Sequence, residues 1–213
     1  MTILADHVAS YLASIRPPRG PVMAEMEAIA ERDRVPIVHW ETGRLLAALC
    51  RALDPRVLEV GTAIGYSTLH MAEPLERGRV VSLEVDPDRA AQARDLLGRA
   101  GVADRVEIVE GDARETIPVL DGPFDLLCVD AAKTEYRDYI ELALPKLSER
   151  ALLIVDNLLM SGDVALPPDE PTSWNPDSVA AARALNLELL SDERWLGCVL
   201  PVGDGIGLAA RSR

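Results

Sequence analysis

Acidic residues in five short segments between positions 59 and 157 carry the types and spacings best suited to chemistry. The first segment runs Glu59-Val60-Gly61-Thr62-Ala63-Ile64-Gly65-Tyr66-Ser67. Its glycines, Gly61 and Gly65, permit a tight turn and a close approach of backbone to a ligand before a helix begins. The spacing G-x-x-x-G is neither the dinucleotide fingerprint nor a P-loop. A missing pyrophosphate cradle argues against nicotinamide or nucleoside triphosphate ligands, and Glu59 suits a cationic one such as an ammonium or sulfonium. Glu84, about 25 residues on, can accept both hydrogen bonds of a ribose diol. Glu110-Gly111-Asp112-Ala113 forms a turn placed to meet an adenine edge. Singly, each acid reads as a solvated loop charge; in order, they describe an adenosyl ligand without phosphates. Asp130, Asp156 and the Asn157 carbonyl then offer three oxygen donors with no His or Cys. That set suits a hard cation such as Mg²⁺, unless Asp156-Asn157 merely caps the next segment. Lys133 and Lys146 are the lysines among 22 basic residues, so a lysine beside Asp130 stands out.

These groups need a scaffold. The 213 residues are 48% hydrophobic and 27% charged, the balance of a globular protein. They are read as one domain, 1–213, with a helical layer over 1–55 and a sheet over 56–213. No apolar run approaches a membrane span, and Asp6 and His7 break the N-terminal apolar stretch, so a cytoplasmic location is expected. A formal charge of −13 disfavours nucleic acid and anionic membranes as partners. Cys50, Cys128 and Cys198 are too scattered for a zinc site, and the last two, in apolar runs, read as small buried hydrophobes.

Ile3, Leu4, Val8, Leu12 and Ile15 fall near helical spacing until the Arg16–Pro21 stretch. A second helix is expected from Val22 to about Arg34, with Met23, Met26 and Ala30 on one face. A third follows Pro36, with Leu45, Leu46, Leu49 and Leu53 as its apolar face. Beyond Arg56, apolar runs at 57–60, 80–85, 106–109, 124–129 and 151–155 alternate with helical stretches. That alternation predicts an α/β fold, a parallel sheet covered on both faces. Trp195–Val202 and Ile206–Arg211, joined through Gly203-Asp204-Gly205, predict a hairpin and an antiparallel last strand. Each acid above then sits at a strand's carboxyl end, where open parallel sheets bind ligands. Leu166 to Pro176 reads as a surface loop beside that edge.

Four stretches, VLEVGTAIGYSTLHMA (57–72), DAAKTEY (130–136), LIVDN (153–157) and LPVGDGIGL (200–208), resemble the cation-dependent class I O-methyltransferases of caffeoyl-CoA and catechol type. The resemblance runs from about residue 22 to the end. It implies a Rossmann-like, seven-stranded, mostly parallel sheet with an antiparallel last strand, in a protein that is often a homodimer. It implies S-adenosylmethionine near Ile37, Glu59, Gly61, Thr62 and Ser67, with Glu84 on the ribose, Ala113 by the adenine and Asp130 adjoining. It implies a metal, Mg²⁺ or else Mn²⁺ or Ca²⁺, on Asp130, Asp156 and Asn157, and Lys133 as general base. A lysine can take that role where an arginine, protonated at every usable pH, cannot. The acceptor implied is a catechol-like or phenolic small molecule. Two departures stand against the family pattern: Ala132 replaces a frequent acid, and the chain has one Phe, three Trp and four Tyr to clamp a ring. Trp174 is the candidate acceptor wall or simply anchors its loop. His7, His39 and His70 read as structural or surface residues, and Trp40 as packing in the helical layer. The alternatives are a metal-independent methyltransferase and a non-catalytic adenosyl-binding protein of this fold.

Overall fold

The structure, a computed structural model, describes residues 4–167 and 169–212. Ile3 of the first expected helix and Pro168 of the expected loop lie outside the described residues. Helices α1 (Asp6–Ser14), α2 (Pro21–Asp33) and α3 (Trp40–Leu53) precede the sheet. Strands β1 (Arg56–Val60), β2 (Arg79–Glu84) and β3 (Val106–Glu110) follow, separated by α4 (Tyr66–Ala72) and α5 (Pro87–Arg99). After α6 (Ala113–Thr116) come β4 (Phe124–Val129), α7 (Tyr136–Ala143), β5 (Leu147–Val155) and α8 (Pro176–Ser191). The chain closes with β6 (Trp195–Leu200) and β7 (Ile206–Arg211).

The seven strands lie in the order β3-β2-β1-β4-β5-β7-β6. The first five pair in parallel, and β7 runs antiparallel between β5 and β6. The strand order reverses between β1 and β4, which opens a crevice beyond their carboxyl ends. Each central strand is apolar on both faces because both faces are covered. Leu58, Val60, Leu127, Val129 and Leu153 pack with Tyr136, Ile140, Val179 and Leu185 from α7 and α8. Val57, Val80, Leu126, Cys128 and Ile154 pack with Met26, Leu46, Leu69 and Leu96 from α2 to α5.

Several local expectations are corrected. Strand β5 starts at Leu147, ahead of the apolar run at 151: Leu147 pairs with Phe124, and polar Ser148, Glu149 and Arg150 fill a register shift before pairing resumes at Leu152. Helix α3 starts at Trp40, after a stretch at 35–39 with no regular structure, and buries Thr42, Gly43, Leu46 and Cys50 while Leu53 is exposed. The side chain of His70 lies so near Gly43 that a Cβ there would run into its ring. Leu46 is fully buried and Leu45 and Leu49 pack against the same core, so the leucine face turns inward except at Leu53, with Gly43 letting the helix close on His70. Helix α1 buries none of its residues. Cys198 is exposed, because edge strand β6 covers only its α8 side, through Trp195 and Gly197. Trp40 is half-buried, with the Arg16 and Arg44 guanidinium groups over its ring. Among the described residues no helix is long and apolar enough to cross a membrane.

Candidate active site

The parallel ladders carry on past the strand ends and so align the expected residues along one edge. Asp130 N–H donates to Val60 O at 2.9 Å and Asp156 N–H to Val129 O at 3.1 Å. Gly61 and Thr62 N–H both donate to Leu83 O at 3.1 Å, and Gly111 N–H donates to Glu84 O at 2.9 Å. Gly61 has φ +101°, and a Cβ there would run into the Asp130 main-chain oxygen, so only glycine lets the first turn lie against β4. A cleft of about 1110 Å³ opens above this edge. Ile37, Gly61, Thr62, Ser67, Glu84, Ala113, Asp130, Lys133 and Asn157 all line it.

Glu59 does not line it. The glutamate is 1% exposed and turned onto hydroxyl groups beneath the glycine turn. Ser67 Oγ donates to its Oε1 at 2.5 Å, while Thr68 Oγ1 and Ser82 Oγ donate to Oε2 at 2.5 and 2.6 Å. Thr62 Oγ1 joins the network at 2.5 Å from Ser82 Oγ. Burial pushes the Glu59 carboxyl up to about 7, against the pull of the three hydroxyls. It reaches the cleft wall through Ser67 and, by way of Ser82, through Thr62. Glu84, 6% exposed, accepts from Ala63 N–H at 2.7 Å and Asp86 N–H at 3.0 Å. It thus braces the strained Ala63, at φ +48°, as well as facing the cleft.

At the β4 and β5 ends the acids and the lysine converge. A 3₁₀ turn, Lys133–Glu135, precedes α7 and brings the lysine over Asp130. The Lys133 ammonium donates to Asp130 Oδ1 at 2.7 Å, Asn157 Oδ1 at 2.6 Å and the Tyr136 hydroxyl at 2.6 Å. Asp156, 2% exposed, accepts from Asn157 N–H through Oδ1 at 2.8 Å. Its Oδ2 is buried with no hydrogen-bond partner among the described residues. Burial first, then the Asp130 charge, holds the Asp156 carboxyl well above the usual carboxylate range. A buried carboxylate oxygen left without a donor is costly unless a cation or proton meets it. Two carboxylates and an amide oxygen are hard donors of the kind Mg²⁺ takes, so the residues fit a divalent cation. Among the described residues no group of three or more His, Cys, Asp or Glu could hold a metal ion; the third donor here is an amide.

Sequence reasoning missed several wall residues. His39, Tyr66, Arg114, Ser161 and Asp204 also line the cleft. Asp204 lies within the quoted LPVGDGIGL stretch and Tyr136 within DAAKTEY, yet only tertiary contacts reveal their partners. His7 is exposed. His70 is buried with Nε2 unpartnered among the described residues, and burial pushes it down to about 4. Trp174 lines the cleft, and its loop is also firmly anchored. Asp163 accepts from Ser173 N–H at 2.7 Å, Ser173 Oγ at 2.9 Å and Trp174 N–H at 2.9 Å.

Comparison with known proteins now bears on this cleft. Residues 20–212 match the O-methyltransferase family. The chain is 38% identical to the catechol O-methyltransferase of Mycobacterium tuberculosis over 185 residues, 84% of this chain and 82% of that protein. It is 30% identical to the caffeoyl-CoA O-methyltransferase of Eucalyptus gunnii, covering 97% of this chain and 88% of the relative. Among solved structures, the Streptomyces achromogenes O-methyltransferase involved in tomaymycin synthesis, in complex with S-adenosylmethionine, superposes with a TM-score of 0.84. That pair shares 29% identity over 97% of this chain and 96% of the other. The match runs along nearly the whole chain. The chain belongs to the O-methyltransferase family, S-adenosylmethionine-dependent enzymes of the class I methyltransferase fold.

Proposed function

We propose that the protein methylates a hydroxyl group of a small catechol-like or phenolic acceptor, with a divalent cation, Mg²⁺ in the first instance, held by Asp130, Asp156 and Asn157. The observation that carries this reading is the unpartnered Asp156 Oδ2, buried just behind the cleft wall that its neighbour Asn157 and Asp130 line. When bound, such a cation supplies charge that acidifies and orients an acceptor hydroxyl. The protein's own residues do the rest. Gly61, Thr62, Ser67 and Ile37 surround the methionine portion of S-adenosylmethionine, with Glu59 acting through Ser67. Glu84 accepts from the ribose diol, Ala113 lies against the adenine, and Asp130 adjoins both ligands. Lys133 Nζ, held by Asp130, Asn157 and Tyr136, first loses a proton to solvent and then, as the neutral amine, receives the acceptor's hydroxyl proton and returns to the ammonium. Trp174 forms the outer wall for the acceptor ring. Holding sulfonium methyl and acceptor oxygen in line is then most of the catalysis.

The relatives' names, catechol and caffeoyl-CoA O-methyltransferase, support the acceptor class, and the charge of −13 supports a small molecule over nucleic acid. Leu196 on edge strand β6 and Leu187 and Leu190 on α8 are exposed, as a homodimer interface would require; light scattering tests that state. The acceptor is tested by a methylation screen across catechols and hydroxycinnamates, with Mg²⁺ and with EDTA. Turnover of a vicinal diol only with Mg²⁺ is the expected result. Equal turnover in EDTA would replace this reading by a metal-independent methyltransferase.

A further inference from the structure

An asparagine amide has one acceptor end and one donor end of nearly equal shape, and the residue itself does not choose which faces a ligand. For Asn157 the choice matters, since only its oxygen can meet a cation or the Lys133 ammonium. Its neighbours leave one orientation. The Lys133 ammonium can only donate, and its Nζ lies 2.6 Å from Oδ1. On the other side the Asp204 carboxylate can only accept, and its Oδ2 lies 3.4 Å from Asn157 Nδ2. We propose that Asp204 is a positioning residue: its carboxylate holds the Asn157 amide nitrogen so that the amide oxygen faces Asp130 and Lys133. The inference rests on the cation reading of the site given above.

The backbone supports the same assignment. Asn157, Met160 and Ser161 all have positive φ, at +62°, +45° and +56°. Non-glycine residues persist in that region only where their surroundings over-determine it. Asp204 supplies much of that constraint. Its Oδ1 accepts from Ser161 N–H, and its main-chain oxygen accepts from Leu159 N–H at 3.0 Å. The next carbonyl, Gly205 O, accepts from Leu158 N–H at 2.9 Å. Gly205, at φ +92°, lies so near Leu159 that a Cβ would run into it, so the 203–205 turn is pressed against the strained segment. At 3% exposure, the carboxylate has little water to compete for these contacts. A buried acid in the hairpin after β6 thus reaches the end of β5.

The test is a double-mutant cycle read by Mn²⁺ affinity, with S-adenosylhomocysteine present, on wild type, Asp204→Asn, Asn157→Ala and the double variant. The substituted amide at 204 can still accept from Ser161 N–H but turns a donor toward Asn157 Nδ2. Asp204→Asn should weaken Mn²⁺ binding about tenfold, leaving S-adenosylhomocysteine affinity within about twofold. In the Asn157→Ala background the same change should add nothing, because Asp204 acts through Asn157. Multiplicative losses in the double variant would mean a general field of the lost charge, and would overturn the proposal. Unchanged Mn²⁺ affinity in folded Asp204→Asn would overturn it too. Should that variant fail to fold, the exchanged pair Asn157→Asp with Asp204→Asn restores a donor facing an acceptor. It should bind Mn²⁺ within about threefold of wild type; a loss beyond tenfold would overturn the assignment. A wild type that binds no Mn²⁺ at all would overturn the cation reading itself, which separates the two failures.

Discussion

Replacing Glu59 by glutamine should make the protein's stability respond differently to pH, and the burial of Glu59 sets the size of the effect. Two influences oppose one another at this carboxyl. Three hydroxyl donors favour its ionised form, and complete burial favours the protonated one. Burial wins, lifting it from 4.5 to about 7. Between pH 4.5 and 7 the folded protein therefore keeps a proton that the unfolded chain has lost. With fewer protons on the unfolded state, stability falls as pH rises through that window. At about 1.4 kcal/mol per pH unit over roughly 2.5 units, wild type loses about 3 kcal/mol that a non-titrating glutamine does not lose. For a chain of this length that is about 6–12 °C in Tm. The assay is urea unfolding of wild type and Glu59→Gln at several pH values from 4 to 8. Every other titrating group is common to both proteins, so their difference isolates Glu59. The variant should gain about 3 kcal/mol relative to wild type across the range. A difference flat with pH would refute the reasoning and show that the three hydroxyls fully offset burial and leave Glu59 at its ordinary value.

Lys133→Arg keeps the charge but not the ability to release a proton at usable pH. It should lower kcat strongly with little change in S-adenosylhomocysteine affinity by calorimetry, and a fully active variant would remove Lys133 as base. Glu84→Ala should weaken S-adenosylmethionine binding by about 1.5–3 kcal/mol, part of it through a loosened Ala63 turn; unchanged affinity in the folded variant would exclude Glu84 from the cofactor site. Gly43→Ala drives a methyl group into the His70 ring and should cost about 1–3 kcal/mol in thermal or urea unfolding. His70→Ala in the same chain should recover much of that loss.

The strand ends were legible because each central strand is covered on both faces and so reads as a continuous apolar run, while the acids follow at fixed places. The same rule fails at the margins. The first half of β5 carries Ser148, Glu149 and Arg150 after Leu147, so no continuous apolar run marks it. Cys198 sits in an apolar run on an edge strand whose outer face lies bare; pattern alone does not say which strand is at the edge. In α3, the leucine spacing marks the inward face through Leu45, Leu46 and Leu49 but fails at Leu53, and it does not reveal Gly43, which packs by having no side chain. At the site, residue type marked Glu59 as a ligand contact, but its partners Ser67, Thr68 and Ser82 come from two other elements and turn it inward. Asp204 shows the reverse. Its motif is plain, but its partners at 157 and 161 meet it only once β7 pairs with β5.

The central claim is that Asp130, Asp156 and Asn157 form a cation site that methyl transfer requires. The direct measurement is transfer of a labelled methyl group from S-adenosylmethionine to a catechol, for wild type and Asp156→Ala, each with saturating Mg²⁺ and with EDTA. S-adenosylhomocysteine affinity is taken alongside as a control for the cofactor half of the cleft. Removing Asp156 takes away the unpartnered buried oxygen but leaves the contacts at the ends of β1, β2 and β3 intact. The account predicts transfer in wild type with Mg²⁺, loss in EDTA, and loss in Asp156→Ala under both conditions with S-adenosylhomocysteine still bound. Full transfer by Asp156→Ala, or by wild type in EDTA, would contradict it and leave Asp156 and Asn157 as caps of the segment that follows β5.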